Sequence, residues 1–75
     1  TITFYLDKQE NIEINIYDIN GKLIRKLTPQ NISAGKNSIK WDGKSDDMKI
    51  VPSGTYFYII KTNNKQYSKK MIFLH

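Results

Sequence analysis

The sequence predicts an all-β protein, a small antiparallel sandwich or barrel of about six or seven strands. In most extended segments apolar and polar residues alternate, which is the pattern of a strand with one buried face. Turn-forming Gly, Asn and Pro residues recur at intervals of about 8–12 residues. No segment shows the periodicity of an amphipathic helix.

The first two predicted strands are ITFYLD and NIEINIYD. Each places Ile, Phe or Leu at every second position, so each has one face suited to the core. The polar segment DKQEN, residues 7–11, separates them and has the length of a hairpin turn. We therefore expect a first hairpin here, in the sheet opposite to that of the last hairpin.

The next turn is predicted at Asn20-Gly21, the strongest short hairpin signal, as a type I′ turn with positive φ at both central residues. The strand that follows, residues 22–27, breaks strict alternation, which predicts a bulge or an edge position. Pro29 then ends the strand because it cannot donate to a ladder.

The second half of the chain predicts three further strands. SIKWD is a short strand with Ile39 and Trp41 on one face, preceded by a loop that pivots on Gly35. TYFYIIKTN is apolar on both faces and is expected to be central, with core under one face and some cover on the other. Asn63-Asn64 makes a tight turn into the last strand, KQYSKKMIFL.

Size and composition limit the function classes. A chain of 75 residues forms one domain with a thin core, and it has no cysteine for disulfides or thiolate metal sites. No apolar run is long enough to span a membrane. The net charge of +5 comes from scattered bases, nearly all of them Lys, which favours solvated faces over nucleic-acid binding. The chain does not begin with Met, so we predict that residues 1–75 are a single domain cut from a longer polypeptide.

The segment WDGKSDDMKIVPSG admits two interpretations, a metal loop or a turn that leads into a strand. Asp42, Asp46 and Asp47 lack the alternating spacing of a calcium loop, and lysines lie among them. Asp side chains also bond their own backbone in turns. We therefore predict a turn and no metal or cofactor, with a short edge strand over residues 48–51 as a further option.

Neither catalysis nor sugar binding is favoured by the residue pattern. His75 is the only histidine and is terminal, and no serine has a base as neighbour, so we predict that the protein is not an enzyme. Most aromatic residues fall at positions expected to face the core, although a sugar-stacking platform stays open as an alternative. Tyr5, Tyr17 and Tyr67 are expected to point outward, as a contact surface or as cover for sheet edges.

Four motifs in order, IYDxxGKLIRxL, AGxNxIxWDG, PSGTYFY and a closing Lys before an apolar run, carry a family resemblance. The chain resembles the Ig-like domain of the flagellar hook-capping protein, and equally the C-terminal sorting domains of type IX secretion cargo. The resemblance covers nearly the whole chain and implies an Ig-like antiparallel β-sandwich of six to seven strands. It also implies that residues 1–75 are the C-terminal domain of a longer secreted protein.

The main functional hypothesis is the one that the sorting-domain resemblance implies. The domain would direct a secreted bacterial protein through the type IX system, across the periplasm and outer membrane, to the cell surface or medium. Its partners would be the secretion machinery or neighbouring domains, and the isolated domain would be a monomer. The residues expected to matter most, for sorting or for structure, are Gly21, Trp41, Gly54, Tyr56, Lys69 and Lys70.

Two alternatives stay open from the sequence. One is a structural Ig-like module of the hook-capping type, which spaces or assembles neighbouring domains. The loop WDGKSDD favours this alternative, because it is longer than the loop common in sorting domains. The other alternative is a carbohydrate-binding accessory module.

Overall fold

The computed structural model describes residues 1–74, and in that part of the chain it contains β-strands and no helix. The strands are β1 (Ile2–Leu6), β2 (Glu13–Tyr17), β3 (Leu23–Leu27), β4 (Gly35–Ile39), β5 (Gly54–Lys61) and β6 (Gln66–Phe73). β1 and β4 form a two-stranded antiparallel sheet, and the other four form an antiparallel sheet in the order β3-β2-β5-β6. This confirms the predicted all-β fold with six strands in two sheets.

The core lies between the two sheets and follows the alternation read from the sequence. β1 contributes Ile2, Phe4 and Leu6, each of which is buried, while the residues between them are exposed. The facing sheet contributes buried residues from its two central strands, namely Ile14, Ile16, Tyr56, Tyr58 and Ile60. Burial of one side of each strand is therefore what joins the two layers.

The predicted first hairpin is wrong. β1 pairs with β4, from Ile2 opposite Ile39 to Leu6 opposite Gly35, and β2 lies in the other sheet. The connecting segment also pairs with a distant part of the chain, since Glu10 and Ile32 exchange two backbone hydrogen bonds of 3.0 Å. The polar segment is thus a crossover between sheets. Of the two strands that it joins, β1 lies in the sheet opposite the last hairpin and β2 lies in the same sheet as that hairpin.

The β2–β3 hairpin forms where predicted, but its turn is of a different type. Gly21 donates to the carbonyl of Asp18 at 3.0 Å and Asp18 donates to that of Lys22 at 2.9 Å. Gly21 has a φ of +84°, while Asn20 is not at positive φ. This is a type I turn followed by a left-handed residue, the usual three-residue hairpin loop, and not type I′. The Asp18 carboxylate stabilises it by accepting from the backbone N–H groups of Asn20 and Lys22, both at 2.9 Å.

β3 shows both features that its broken alternation predicted. It is an edge strand, and its register with β2 shifts because Ile16 faces Arg25 while Tyr17 faces Leu23. Ile24 is therefore the extra residue of a β-bulge. The bulge lets Ile24 and Leu27 both pack against the core.

β4 lies earlier in the chain than the predicted strand SIKWD, because it begins at Gly35, the residue expected to lie in the preceding loop. β4 ends at Ile39, so Trp41 lies beyond the strand, although it is buried as expected. Residues 48–51 do not form a strand. They fold back on residues 43–45 through one isolated bridge between Lys44 and Ile50, with Met48 at a φ of +66°.

β5 is central, as predicted, with β2 on one side and β6 on the other. Its core face is buried, but Phe57 on the opposite face is 38 % exposed. No other layer of residues 1–74 covers that face, so the expected cover is limited to side chains of neighbouring strands. The Asn63-Asn64 turn joins β5 to β6, with Thr62 donating to the carbonyl of Lys65 at 2.9 Å.

Candidate interaction surface

The loop of residues 42–53 covers the free edge of β3. The backbone N–H of Asp46 donates to the carbonyl of Ile24 at 2.8 Å, and the Asp46 carboxylate accepts from the backbone N–H of Lys26 at 3.1 Å. The Arg25 guanidinium adds a hydrogen bond of 3.1 Å to the carbonyl of Ser45. The loop thus satisfies backbone groups that an uncovered edge would offer to another strand.

The three carboxylates of this loop serve separate local contacts. Asp42 accepts from the backbone N–H of Lys44 at 3.0 Å, and Asp46 bonds β3. Asp47 accepts from the Ser45 hydroxyl, which lowers the pKa of Asp47, and Lys49 lies 3.8 Å from it. Within residues 1–74, no group of three or more His, Cys, Asp or Glu side chains is arranged to hold a metal ion. The arrangement is that of a turn.

An aromatic cluster anchors both ends of the loop. The ring centroids of Trp41 and Tyr56 are 5.4 Å apart with an interplanar angle of 73°, and Phe73 of β6 lies 5.1 Å from Trp41. The Trp41 indole N–H donates to the carbonyl of Lys44 at 3.0 Å, and the Tyr56 hydroxyl donates to that of Pro52 at 2.5 Å. Burial, together with the charge of Asp18, raises the pKa of Tyr56. Trp41 and Tyr56 are therefore core residues that fix the loop, and they form no exposed stacking platform.

The six residues singled out from the sequence do not form one site. Trp41 and Tyr56 meet in the aromatic cluster. Gly21 lies in the β2–β3 turn, and Gly54 begins β5 with a φ of +156°, a backbone conformation that residues with a side chain rarely adopt. Lys69 and Lys70 lie on β6, the edge strand of the larger sheet.

The sequence reading missed one structural glycine, Gly43. It has a φ of +76°, and a Cβ added there would lie 2.1 Å from Cζ of Phe73. Only a residue without a side chain lets the loop backbone approach the Phe73 ring this closely. The Asp-Gly pair indicated a turn, but no local signal could show a contact with a strand from the far end of the chain.

The outer face of the larger sheet combines a polar network with exposed apolar residues. The Glu13 carboxylate accepts a hydrogen bond of 2.9 Å from Asn15, which is the main cause of its lowered pKa. Lys26 and Lys61 lie 3.4 Å and 3.7 Å from that carboxylate. The exposed apolar residues on or beside this face are Leu23, Phe57 and Ile72.

An open groove of about 180 Å³ lies between the free edges of β1 and β6. β1 contributes Tyr5 and β6 contributes Tyr67 and Lys69, while Tyr58 forms part of the lining from β5. Tyr5 is 64 % exposed and Tyr67 is 38 % exposed, so two of the three tyrosines expected to point outward share this groove. Tyr17 does not, because it lies on the opposite face of the larger sheet, where it pairs with Phe57.

Comparison with known proteins identifies the family. Residues 1–66 match the family model of the FlgD Ig-like domain. The chain belongs to this family. It is 33 % identical over 55 residues to the basal-body rod modification protein FlgD of Salmonella typhimurium, and equally to that of Salmonella typhi. Each match covers 73 % of this chain and 24 % of the relative, so this FlgD-type chain matches about a quarter of the length of the curated relatives.

The solved structure of FlgD from P. aeruginosa shares this fold. It matches 93 % of this chain and 57 % of its own chain, with a TM-score of 0.71 and 27 % sequence identity. This confirms the hook-capping side of the resemblance and the small Ig-like sandwich.

The main functional hypothesis from the sequence is wrong. The family match and the relatives are those of flagellar FlgD and not of type IX sorting domains. Export through the type IX system, and the location in the medium or at the cell surface that depended on it, are therefore withdrawn. The motifs in the sequence resemble both groups equally, so they could not decide between them. In the described part of the chain, no helix is long and apolar enough to cross a membrane.

Proposed function

We propose that this chain is a non-catalytic structural module of a flagellar hook-capping protein, which spaces and assembles neighbouring domains or subunits. The observation that carries the proposal is the family match over residues 1–66. The relatives are basal-body rod modification proteins, and this chain corresponds to about a quarter of their length. A module of that size acts as one part of a larger protein.

The way the fold is held together supports a structural role. The long loop of residues 42–53 is tied to β3 and to the aromatic cluster. The loop carboxylates accept hydrogen bonds within turns and from the β3 edge. None of these contacts pairs a general acid with a general base for catalysis. A unit whose long loop is fixed at several points suits the role of holding its neighbours at a constant separation.

The test is an in-frame deletion of residues 1–75 in the parent gene, with electron microscopy of hook–basal bodies and measurement of exported parent protein. We expect defective hook assembly with export of the remaining protein unchanged. The matched control replaces the segment with an unrelated Ig-like sandwich of similar size. Normal hooks after simple deletion would contradict the proposal.

The control also separates two forms of the proposal. Rescue by the unrelated sandwich would show that spacing is the whole contribution. Failure of rescue, with the replacement folded and exported, would show that surfaces of this module make specific contacts during assembly.

A further inference from the structure

We propose that the free edge of β6, with the groove beside it, binds an extended acidic segment of another protein or domain by β-strand addition. The segment would continue the larger sheet as a strand next to β6. This inference concerns the chemistry of one surface and does not rest on the proposed hook-capping role. The first argument is the contrast between the two edges of the same sheet.

The two edges of the larger sheet differ in whether another part of the chain covers them. The β3 edge carries a bulge and is covered by the loop that contains Asp46. β6 is eight residues long, pairs regularly with β5 along its whole length, and has no neighbour on its other side in residues 1–74. A long, regular, uncovered edge is the type of edge to which other strands add.

The backbone of β6 is oriented to accept a strand. The Thr62 N–H donates to the carbonyl of Lys65, which marks that pair as hydrogen-bonded. Hydrogen-bonded and non-bonded pairs alternate along an antiparallel ladder. From the register of β5 and β6, the N–H and C=O groups of Ser68, Lys70 and Ile72 point away from β5. These are the groups that an added strand would bond.

The charge of this edge favours an acidic partner. β6 has no acidic residue, and Lys69 and Lys70 form no ion pair among the described residues. Lys65, at the end of the hairpin, is already paired with Asp7 at 3.3 Å. A strand with a carboxylate opposite Lys70 on the outer face, or near Lys69 on the inner face, would compensate these two charges.

The groove gives the added strand a place for inward side chains. It lies between β1 and β6, and its lining is mainly apolar, with Tyr5 and Tyr67 at its two sides and Lys69 as its cation. Ile72, 69 % exposed, provides an apolar contact on the outer face of the same edge. The partner would therefore alternate acidic and apolar side chains.

A second copy of this chain fits the edge less well. Antiparallel pairing of two β6 strands about their centres would bring Lys69 and Lys70 of both copies together. Like charges placed opposite each other across strands are destabilising. The occupant we propose is therefore a different, acidic segment.

The experiment uses the chain of residues 1–75 and three synthetic peptides of about ten residues, a usual strand length. One peptide alternates valine with glutamate, one alternates valine with lysine, and one is the glutamate peptide with a central proline. Binding is followed by fluorescence anisotropy at about 0.05 M and about 0.5 M salt. Backbone amide hydrogen exchange then locates the bound peptide.

Two variants test the edge and its charge separately. Ser68→Pro removes an outward N–H without breaking the ladder to β5, since proline is tolerated on an edge strand when its nitrogen faces solvent. The double variant K69E/K70E keeps the edge and reverses its charge. Circular dichroism and thermal melting check that both variants fold. If Ser68→Pro does not fold, the double variant K69E/K70E decides the result.

We expect the glutamate peptide to bind at low salt, at least about tenfold more tightly than the other two peptides, and to lose affinity at high salt. Exchange at Ser68, Lys70 and Ile72 should slow on binding. Ser68→Pro should abolish binding, and K69E/K70E should transfer the preference to the lysine peptide.

Three results would overturn the proposal. Equal or absent binding of the glutamate and lysine peptides would remove the charge argument. Protection at Thr3 and Tyr5 without protection along β6 would place the added strand on β1. Concentration-dependent self-association that Ser68→Pro abolishes would make a second copy the occupant.

Discussion

The contact between Gly43 and Phe73 shows how one residue type determines the packing of a loop. Gly43 combines a φ of +76° with a backbone position where any Cβ would overlap the Phe73 ring. Gly21 has a similar φ of +84° but open space around it. Comparing substitutions at the two glycines therefore separates the stability cost of the backbone conformation from the cost of overlap with the Phe73 ring.

We expect Gly43→Ala to destabilise the fold more than Gly21→Ala. A left-handed backbone costs a non-glycine residue about 1–2 kcal/mol, which both variants incur. Overpacking against Phe73 adds about 1–3 kcal/mol in Gly43→Ala alone. Urea unfolding of both variants measures the difference, and Phe73→Ala combined with Gly43→Ala should recover part of it. Equal losses for the two glycines would contradict the packing argument.

Tyr56 links the loop to the pH dependence of stability. Burial, and secondarily Asp18, raises the pKa of Tyr56, and burial raises that of Tyr58. The two tyrosine hydroxyls therefore lose their protons at a lower pH in the unfolded chain than in the folded chain. Keeping these hydroxyls neutral therefore contributes to folding stability. That contribution is complete below the ordinary tyrosine pKa of 10.0 and is lost as pH rises above it.

The variant Tyr56→Phe tests this linkage. Near pH 7 it should be less stable by about 1 kcal/mol, because the hydrogen bond to Pro52 is lost. Above about pH 10 its stability should fall less steeply than that of the unmodified chain, so that the gap narrows. Chemical unfolding between about pH 7 and pH 11 provides the measurement. If the free energy of unfolding falls equally with pH in both proteins, Tyr56 does not contribute to the loss of stability at alkaline pH.

At the scale of elements, the loop of residues 42–53 protects a strand edge. Asp46 bonds β3 through both its backbone and its carboxylate, whereas the Asp47 carboxylate bonds Ser45 and pairs with Lys49, both in the loop itself. Two adjacent aspartates thus have different roles. The sequence showed the turn character of this loop, because Asp and Gly have local preferences, but the β3 contact depends on the tertiary fold.

We expect Asp46→Ala to lower the free energy of unfolding by about 1 kcal/mol, since the Lys26 N–H loses its acceptor. Asp47→Ala, the matched control, should change it by less than about 0.5 kcal/mol. Light scattering at high protein concentration should rise for Asp46→Ala only, because the β3 edge becomes more accessible. An equal rise for both variants would point to lost negative charge as its cause.

For the whole molecule, the sequence predicted two layers of strands but not how the strands divide between them. Local signals sufficed for the β2–β3 and β5–β6 hairpins, where Gly21 and the Asn63-Asn64 pair lie in short turns. They failed for β1, whose partner β4 is distant in the chain. Alternation shows that Ile2 is buried, but it does not show which strand lies beside β1. The groove was beyond prediction for the same reason, because β1 and β6 come from opposite ends of the chain.

The division into sheets leads to a prediction about cooperativity. The sheets share no strand pair, so side chains of the core provide the main connection between β1–β4 and the larger sheet. A domain of this length has a stability of about 4–11 kcal/mol. Ile2→Ala in one sheet and Ile14→Ala in the other, both fully buried sites, should each cost about 2–5 kcal/mol.

The control is Ile50→Ala, at a residue that is 68 % exposed, which should cost less than about 0.5 kcal/mol. Because neither sheet keeps a closed core without the other, both buried variants should still unfold in one transition. Their dependence on urea should match that of the unmodified chain. Fluorescence of Trp41 and far-ultraviolet circular dichroism should therefore give coincident curves. If Ile2→Ala instead separates the two signals, the larger sheet is stable alone and the β1–β4 pair is an independent addition to it.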